Sequence, residues 1–235
     1  MKTVVALLAP LVWTSLASAA AIPSPAAPNK LPLDIVLKAF PAPELTAAAA
    51  ADSTENQLSG PCRAVTFIFA RGTGEDGNVG ARIGPPLIAD LRAALGTNNL
   101  AAQGVDYSAS VLGYLEGGDP TGTKTMATLI NTAATQCPST KIVIGGYSQG
   151  AQLTHKAAAM LSASVTARIA AVVMFGDPQH VGRSTSPPVG TVPDSKVDSF
   201  CHTGDIICTG TGGSAQHLNY DQDAPTASAF IVAHL

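Results

Sequence analysis

Residues 142–152 read IVIGGYSQGAQ and set Ser148 between Gly146 and Gly150. The pattern G-x-S-x-G raises a serine hydroxyl on a sharp turn when a strand precedes it and a helix follows. Here KIVIGG reads as a buried strand, and Gln149 to about Ser162 as a helix. A plain glycine-rich turn would carry the same five residues, so the partners decide. A serine hydroxyl is a weak nucleophile; it needs a base, and the base needs an orienting carboxylate. In the strand-turn-helix context these follow in the order Ser, Asp or Glu, His.

Downstream of Ser148 stand His155, His180, His202, His217 and His234. His155 falls about two turns along the helix that Ser148 opens, too far to take its proton. His234 ends the last helix and reads as an exposed terminal residue. His180 and His202 fall near strand ends, and His217 opens a loop after the final strand, so all three stay open as bases. Among the acids, Asp205 sits between Cys201 and Cys208, where a disulfide would fix its direction. Asp177 and Asp198 read as a turn residue and a strand-face residue.

These side chains need a scaffold. Short apolar or β-branched runs occur at 64–70, 107–113, 141–146, 169–176 and 196–201. Between the first four lie helical patterns: Ile83, Leu87, Leu91 and Leu95 recur every fourth position, and Met126, Leu129, Ile130 and Ala133 follow i, i+3, i+4, i+7. A last helix is expected from about Pro225 to His234. Continuous apolar strands alternating with helices predict a five-stranded parallel sheet covered on both faces, a compact doubly wound α/β fold of the α/β-hydrolase type. Too little chain separates Ser148 from Asp205 for a cap domain, so an open crevice is expected.

The 235 residues suit one domain with a substantial core. Net charge is −3 with 12% charged residues and no basic run, which argues against nucleic acid and anionic membrane surfaces as partners. Lys2, the apolar VVALLAPLVW and the small ASA at 17–19 read as a signal peptide over 1–19, so secretion is expected, with no integral membrane segment after cleavage. Residues 20–59, rich in Ala, Pro and Ser, read as a pro-segment or flexible arm, and 60–235 as the catalytic domain. The island LPLDIVLKAF within the arm is a possible lid. Four cysteines in a secreted chain imply two disulfides, with Cys62–Cys137 and Cys201–Cys208 the economical pairing. No C-x-x-C or histidine cluster suggests a metal, no cofactor is expected, and neither is an N-glycosylation sequon present. A monomer is expected.

FIFARGTGEDGNVG, GGYSQGAQ, FGDPQH, CHTGDIICTG and HLNY together resemble the fungal cutinases, carboxylesterases of the cutin polyester, over roughly 60–235. The resemblance implies a triad of Ser148, Asp205 and His217, the same two disulfides, and an oxyanion hole from Thr73 and Gln149. It also places Leu115, in the GYLEGG loop, as an apolar wall of the substrate pocket. The expected substrates are cutin and short-chain soluble esters. Where relatives carry an aliphatic flap between the triad Asp and His, this chain has TGTGGSAQ; Gly212, Gly213 and Ser214 are expected to loosen the His217 loop and to favour short acyl groups. An acetylxylan esterase or other carbohydrate esterase is the alternative enzyme, and a non-catalytic surface binder the alternative outside catalysis.

Overall fold

The computed structural model describes residues 53–185 and 187–235. The expected signal peptide and most of the expected arm, including the apolar island, lie outside the described residues. Five parallel strands form one sheet: β1 (Val65–Ala70), β2 (Leu100–Gly104), β3 (Lys141–Tyr147), β4 (Ile169–Phe175) and β5 (Val197–Phe200), in the spatial order β2-β1-β3-β4-β5. The middle strands are buried on both faces because helices cover both. Side-chain alternation divides the core in two. Ile68, Ile142, Ile144, Val172 and Met174 pack beneath α3 (Pro120–Gln136) and α4 (Gln149–Ala159), where Met126, Ile130, Leu153 and Ala157 meet them. Phe67, Phe69, Val143, Val173 and Phe175 face the other way, against Ile83, Leu87 and Leu91 around α1 (Gly84–Leu95) and Ala227 and Ile231 of α7 (Ala224–Ala233). The helices Gly84–Leu95 and Pro120–Gln136 contribute the apolar stripes that their spacing predicts.

The second strand differs from expectation. Residues 107–113 do not form it; β2 is Leu100–Gly104, and 111–115 form a short helix, α2 (Val111–Leu115). LAAQG carries small residues of weak strand propensity, so it does not announce itself. Its pairing with β1, from Val65↔Leu100 to Phe69↔Gly104, makes it a strand. Ser110 ends the extended stretch by capping α2, its hydroxyl accepting from the Gly113 N–H at 3.1 Å.

The free edge of β2 is covered by residues 53–59, which the sequence reading assigned to the arm. Asn56 bridges Gln103 antiparallel, the Gly104 N–H donates to the Glu55 carbonyl at 2.8 Å, and Glu55 pairs with Arg92 of α1 at 2.7 Å. Leu58 is buried beside them. An edge strand left open would offer unpaired backbone groups to other chains. Two further short helices complete the described chain, α5 (Ala163–Thr166) and α6 (Ile206–Thr209). Disulfides join Cys62 to Cys137 and Cys201 to Cys208, the pairing expected.

Candidate active site

The strand order reverses direction between β1 and β3, and ligands in open parallel sheets bind at the carboxyl ends of strands beside such a point. Thr73 follows β1 and Ser148 follows β3. The turn at Ser148 is tight: its φ of 55° lies in the left-handed region, rare for a residue with a side chain. Two features hold it there. The Ser148 N–H donates to the Phe175 carbonyl at 2.8 Å. Helix α4 also packs so closely that a Cβ on Gly150 would lie 2.0 Å from the Ala70 carbonyl oxygen, and one on Gly146 would lie 2.2 Å from that of Gly150. Only glycine fits either place, which is why G-x-S-x-G carries its glycines.

Of the histidines left open, His217 reaches the serine. Its Nε2 lies 3.0 Å from Ser148 Oγ, and its Nδ1 lies 2.8 Å from Asp205 Oδ2. An ionised carboxylate only accepts, so Nδ1 carries the hydrogen and Nε2 is left to accept from the Ser148 hydroxyl. All three side chains are fully buried. Asp205 caps α6, its Oδ1 accepting from the Ile207 N–H at 2.8 Å, while Oδ2 also accepts from the Tyr220 hydroxyl at 2.6 Å. Burial opposes ionisation of this carboxyl, but the bonds from His217, Tyr220 and Ile207 outweigh it and hold Asp205 below the usual carboxylate range. Burial pushes the Tyr220 phenol up, and the adjacent Asp205 charge adds to that, so Tyr220 stays a donor.

On the opposite wall, the Gln149 amide Nε2 donates to Thr73 Oγ1 at 2.8 Å and to the Ser110 carbonyl at 2.9 Å. Thr73 Oγ1 thus accepts from Gln149 and keeps its own hydrogen free to donate elsewhere. The Gln149 backbone N–H opens α4, where no intrahelical acceptor exists for it. Beneath, the buried Glu75 carboxylate accepts from the N–H groups of Gly72, Ala81 and Arg82 at 2.7, 3.1 and 3.1 Å, fixing the loop that carries Thr73.

The other candidates are used elsewhere. His155 is buried with Nε2 2.8 Å from Asp177 Oδ2 and Nδ1 3.0 Å from the Pro188 carbonyl, tying α4 to the loop after β4. His180 lies on the 3-10 turn Pro178–His180, and His234 contacts the Phe230 and Ser195 carbonyls at 2.8 and 2.9 Å. Asp198 is half-buried on β5. His202 lies beside Tyr220 with their rings stacked, centroids 4.1 Å apart. Sequence reasoning assigned Tyr220 no part, because a tyrosine three residues after a histidine signals nothing until the turn Tyr220–Asp223 folds it back onto Asp205.

Two expectations need correcting. Ser148 has no exposed surface, so the nucleophile does not itself lie open to solvent in the crevice. Its walls meet in an apolar cluster of Tyr114 and Ile207 with half-buried Val111, Leu115 and Ile206, which joins α2 to α6. Leu115 packs against that cluster. The difference from expectation is that a short helix, Val111–Leu115, stands where a strand end and a loop were expected. The glycine-rich stretch is not loose either. The Gly213 N–H donates to the Gly204 carbonyl at 2.9 Å and the Ile206 N–H to the Gly213 carbonyl at 3.2 Å. A Cβ on Gly212 would lie 2.2 Å from the Gly204 carbonyl oxygen, so glycine here serves close backbone approach.

A serine, a histidine and an aspartate bonded in series at the switch point of a parallel sheet define a serine hydrolase of the α/β-hydrolase type. The family model described as Cutinase matches residues 61–235. A cutinase from Blumeria hordei is 54% identical over 184 residues, covering 77% of this chain and 76% of its own. A solved cutinase of Trichoderma reesei, in complex with a phosphonate inhibitor, superposes with a TM-score of 0.71 at 42% identity, over 79% of this chain and 83% of that one. A solved acetylxylan esterase, 23% identical, shares the fold with a TM-score of 0.62 over 74% of this chain and 99% of its own. The chain belongs to the cutinase family and is a serine carboxylester hydrolase. Among the described residues no helix is long and apolar enough to cross a membrane, and no cluster of His, Cys, Asp and Glu is arranged to hold a metal ion.

Proposed function

We propose that this protein is a secreted cutinase that opens the ester bonds of cutin and of short-chain soluble esters through an acyl-enzyme on Ser148. The observation that carries the reading is the hydrogen-bonded series Asp205–His217–Ser148, with distances of 2.8 and 3.0 Å, on a strained turn. Ser148 Oγ attacks the ester carbonyl carbon as its proton passes to His217 Nε2. The carbonyl oxygen becomes an oxyanion, and donors fixed beforehand stabilise it without reorganising. Those donors are the Gln149 N–H and the Thr73 hydroxyl, with Gln149 Nε2 holding the latter in place. The C–O bond to the alcohol then breaks, and His217 returns its proton to the departing oxygen. Water, deprotonated by the same Nε2, attacks the acyl-Ser148 carbonyl and frees the acid. Asp205 holds the imidazole in the right tautomer and stabilises the imidazolium without taking its proton.

Lys2, the apolar run after it and the ASA at 17–19 support export. The cutinase relatives support cutin as the polymer. The test is Ser148→Ala and His217→Ala assayed on p-nitrophenyl esters of increasing chain length, on cutin and on acetylated xylan. Each variant is expected to lose activity to within the residual ~10³–10⁴-fold rate over water that an oxyanion hole alone supports. Wild-type turnover in either variant, or hydrolysis of xylan acetyl groups in preference to cutin, would refute the reading.

A further inference from the structure

Three consecutive carbonyls around the proposed base are each held from a different part of the chain. The Tyr147 hydroxyl donates to the His217 carbonyl at 2.7 Å, Arg82 Nη1 to the Leu218 carbonyl at 3.2 Å, and His202 Nδ1 lies 3.1 Å from the Gln216 carbonyl. His202 Nδ1 is also 3.0 Å from Asn219 Oδ1, and its Nε2 is 2.7 Å from Asp223 Oδ2. Both ring nitrogens thus face oxygen acceptors, and bonding to both requires a hydrogen on each. The ring's other neighbour is Tyr220, stacked against it, whose hydroxyl accepts from the His202 N–H at 3.1 Å and donates to Asp205. The next residue back, Cys201, is tied to Cys208 beyond Asp205.

We propose that His202, as its imidazolium, is a positioning residue that fastens the loop carrying His217 through Gln216, Asn219 and Asp223, and that loss of its proton releases that loop. The proposal rests on His217 being the base. Partial burial works against the charged ring, but the Gln216 carbonyl, the Asp223 carboxylate and Asn219 outweigh it and raise its pKa above the ordinary histidine value. Asp223 is the charged group against the ring and Tyr220 the other titratable one, and the latter stays protonated. Above the raised value the ring keeps Nε2–H on Asp223, and Nδ1 presents a lone pair to the Gln216 carbonyl. Asn219 can turn its amide to suit; a backbone carbonyl cannot. Of the groups donating to 216–218, burial pushes the Tyr147 phenol up and His202 is the imidazole, so His202 is the fastener that responds to pH.

The experiment measures kcat and KM for p-nitrophenyl butyrate across acid to alkaline pH in the full secreted enzyme, beside an NMR titration of the His202 ring. Wild-type kcat is expected to step down on the alkaline side as His202 loses its proton. Asp223→Asn should move that step and the ring titration to lower pH together. His202→Asn places an amide nitrogen near the Nδ1 position, a donor at every pH, so its profile should lack the step. His202→Ala should lower kcat about tenfold at neutral pH, the scale of one charge-assisted hydrogen bond, with KM little changed. If wild type, Asp223→Asn and His202→Asn gave superimposable profiles while His217→Ala was inactive, the role of His202 would be wrong and the triad would stand. An active His217→Ala would instead overturn the reading beneath it.

Discussion

Replacing Asp205 with asparagine separates the two tasks this side chain performs. In the native protein Oδ1 accepts from the Ile207 N–H, capping α6, while Oδ2 accepts from His217 Nδ1–H and the Tyr220 hydroxyl. Asparagine has one oxygen. Turned toward Ile207, it keeps the cap, since Asn caps a helix as well as Asp does. Its NH2 then occupies the Oδ2 position and donates to His217 Nδ1, so the ring hydrogen moves to Nε2. There it points at Ser148 as a donor, and the base is lost although the geometry survives. The opposite orientation sets NH2 against the Ile207 N–H and leaves that buried donor unpaired, at about 1–3 kcal/mol, so the first orientation prevails. An unfavourable tautomer of this kind lowers kcat by about 10⁴ in a serine protease triad, and the same factor is expected here. Asp205→Ala should be as inactive but less stable, having lost the cap, at about 1 kcal/mol, and orphaned two further buried donors. Acidification supplies an independent check. Because folding lowers the Asp205 pKa, its contribution to stability is present above the unfolded carboxyl value and is lost as pH falls through the folded one. The stability advantage of wild type over Asp205→Asn should therefore shrink in acid. The assay pairs kcat on a p-nitrophenyl ester with thermal melts of all three proteins across pH. An Asp205→Asn enzyme within tenfold of wild type, or one whose melts follow the wild-type pH dependence, would refute the orienting role.

Gly150→Ala puts a Cβ 2.0 Å from the Ala70 carbonyl oxygen, so α4 must withdraw from β1 and carry Ser148 away from Thr73. A shift of about 1 Å is expected to cost about 100-fold in kcat, and turnover near wild type in a folded Gly150→Ala enzyme would show that the close approach does not set the nucleophile. The two disulfides should divide their effects: serine replacement of Cys62 and Cys137, 75 residues apart, removes a long loop closure worth about 4.5 kcal/mol, and of Cys201 and Cys208, 7 apart, about 2.5 kcal/mol. Chemical denaturation should find the first variant weaker, whereas ester turnover should be lost mainly in the second, whose bridge spans Asp205; an active enzyme without Cys201–Cys208 would mean that the tether does not hold the acid.

What could be read from residues alone follows from how each element is stabilised. Strands β1, β3 and β4 are buried on both faces, so VTFIFA, KIVIGGY and IAAVVMF must be apolar along their length and announce themselves. Strand β2 is held by its pairing with β1 on one side and by residues 53–59 on the other, and between them alanines and Gln103 suffice. Gln103 serves as a connector: its side chain accepts from the Leu58 N–H at 3.2 Å, and its Nε2 lies 3.3 Å from Asn56 Oδ1. Nothing local in LAAQG demands a strand. The apolar character that the eye places at 107–113 belongs instead to a helix that walls the crevice.

The nucleophile and the acid were readable because their constraints are local. Glycine must flank Ser148 where backbones touch, and Asp205 must cap the turn that its neighbouring disulfide encloses. The base was not readable from spacing. His202 follows the last strand and His217 opens the loop beyond it, and each bonds an aspartate, at 2.7 and 2.8 Å. What separates them is burial. His217 sits fully inside with Asp205, where a neutral ring can take up and return a proton shielded from water, while His202 and Asp223 keep about a fifth of their side-chain surface exposed. One environment suits a base that changes charge within each turnover; the other suits a ring that stays charged and holds its neighbour still. Chain order implies neither, since the difference arises only when Tyr220 folds between the two rings, donating to the acid of one and stacking on the other.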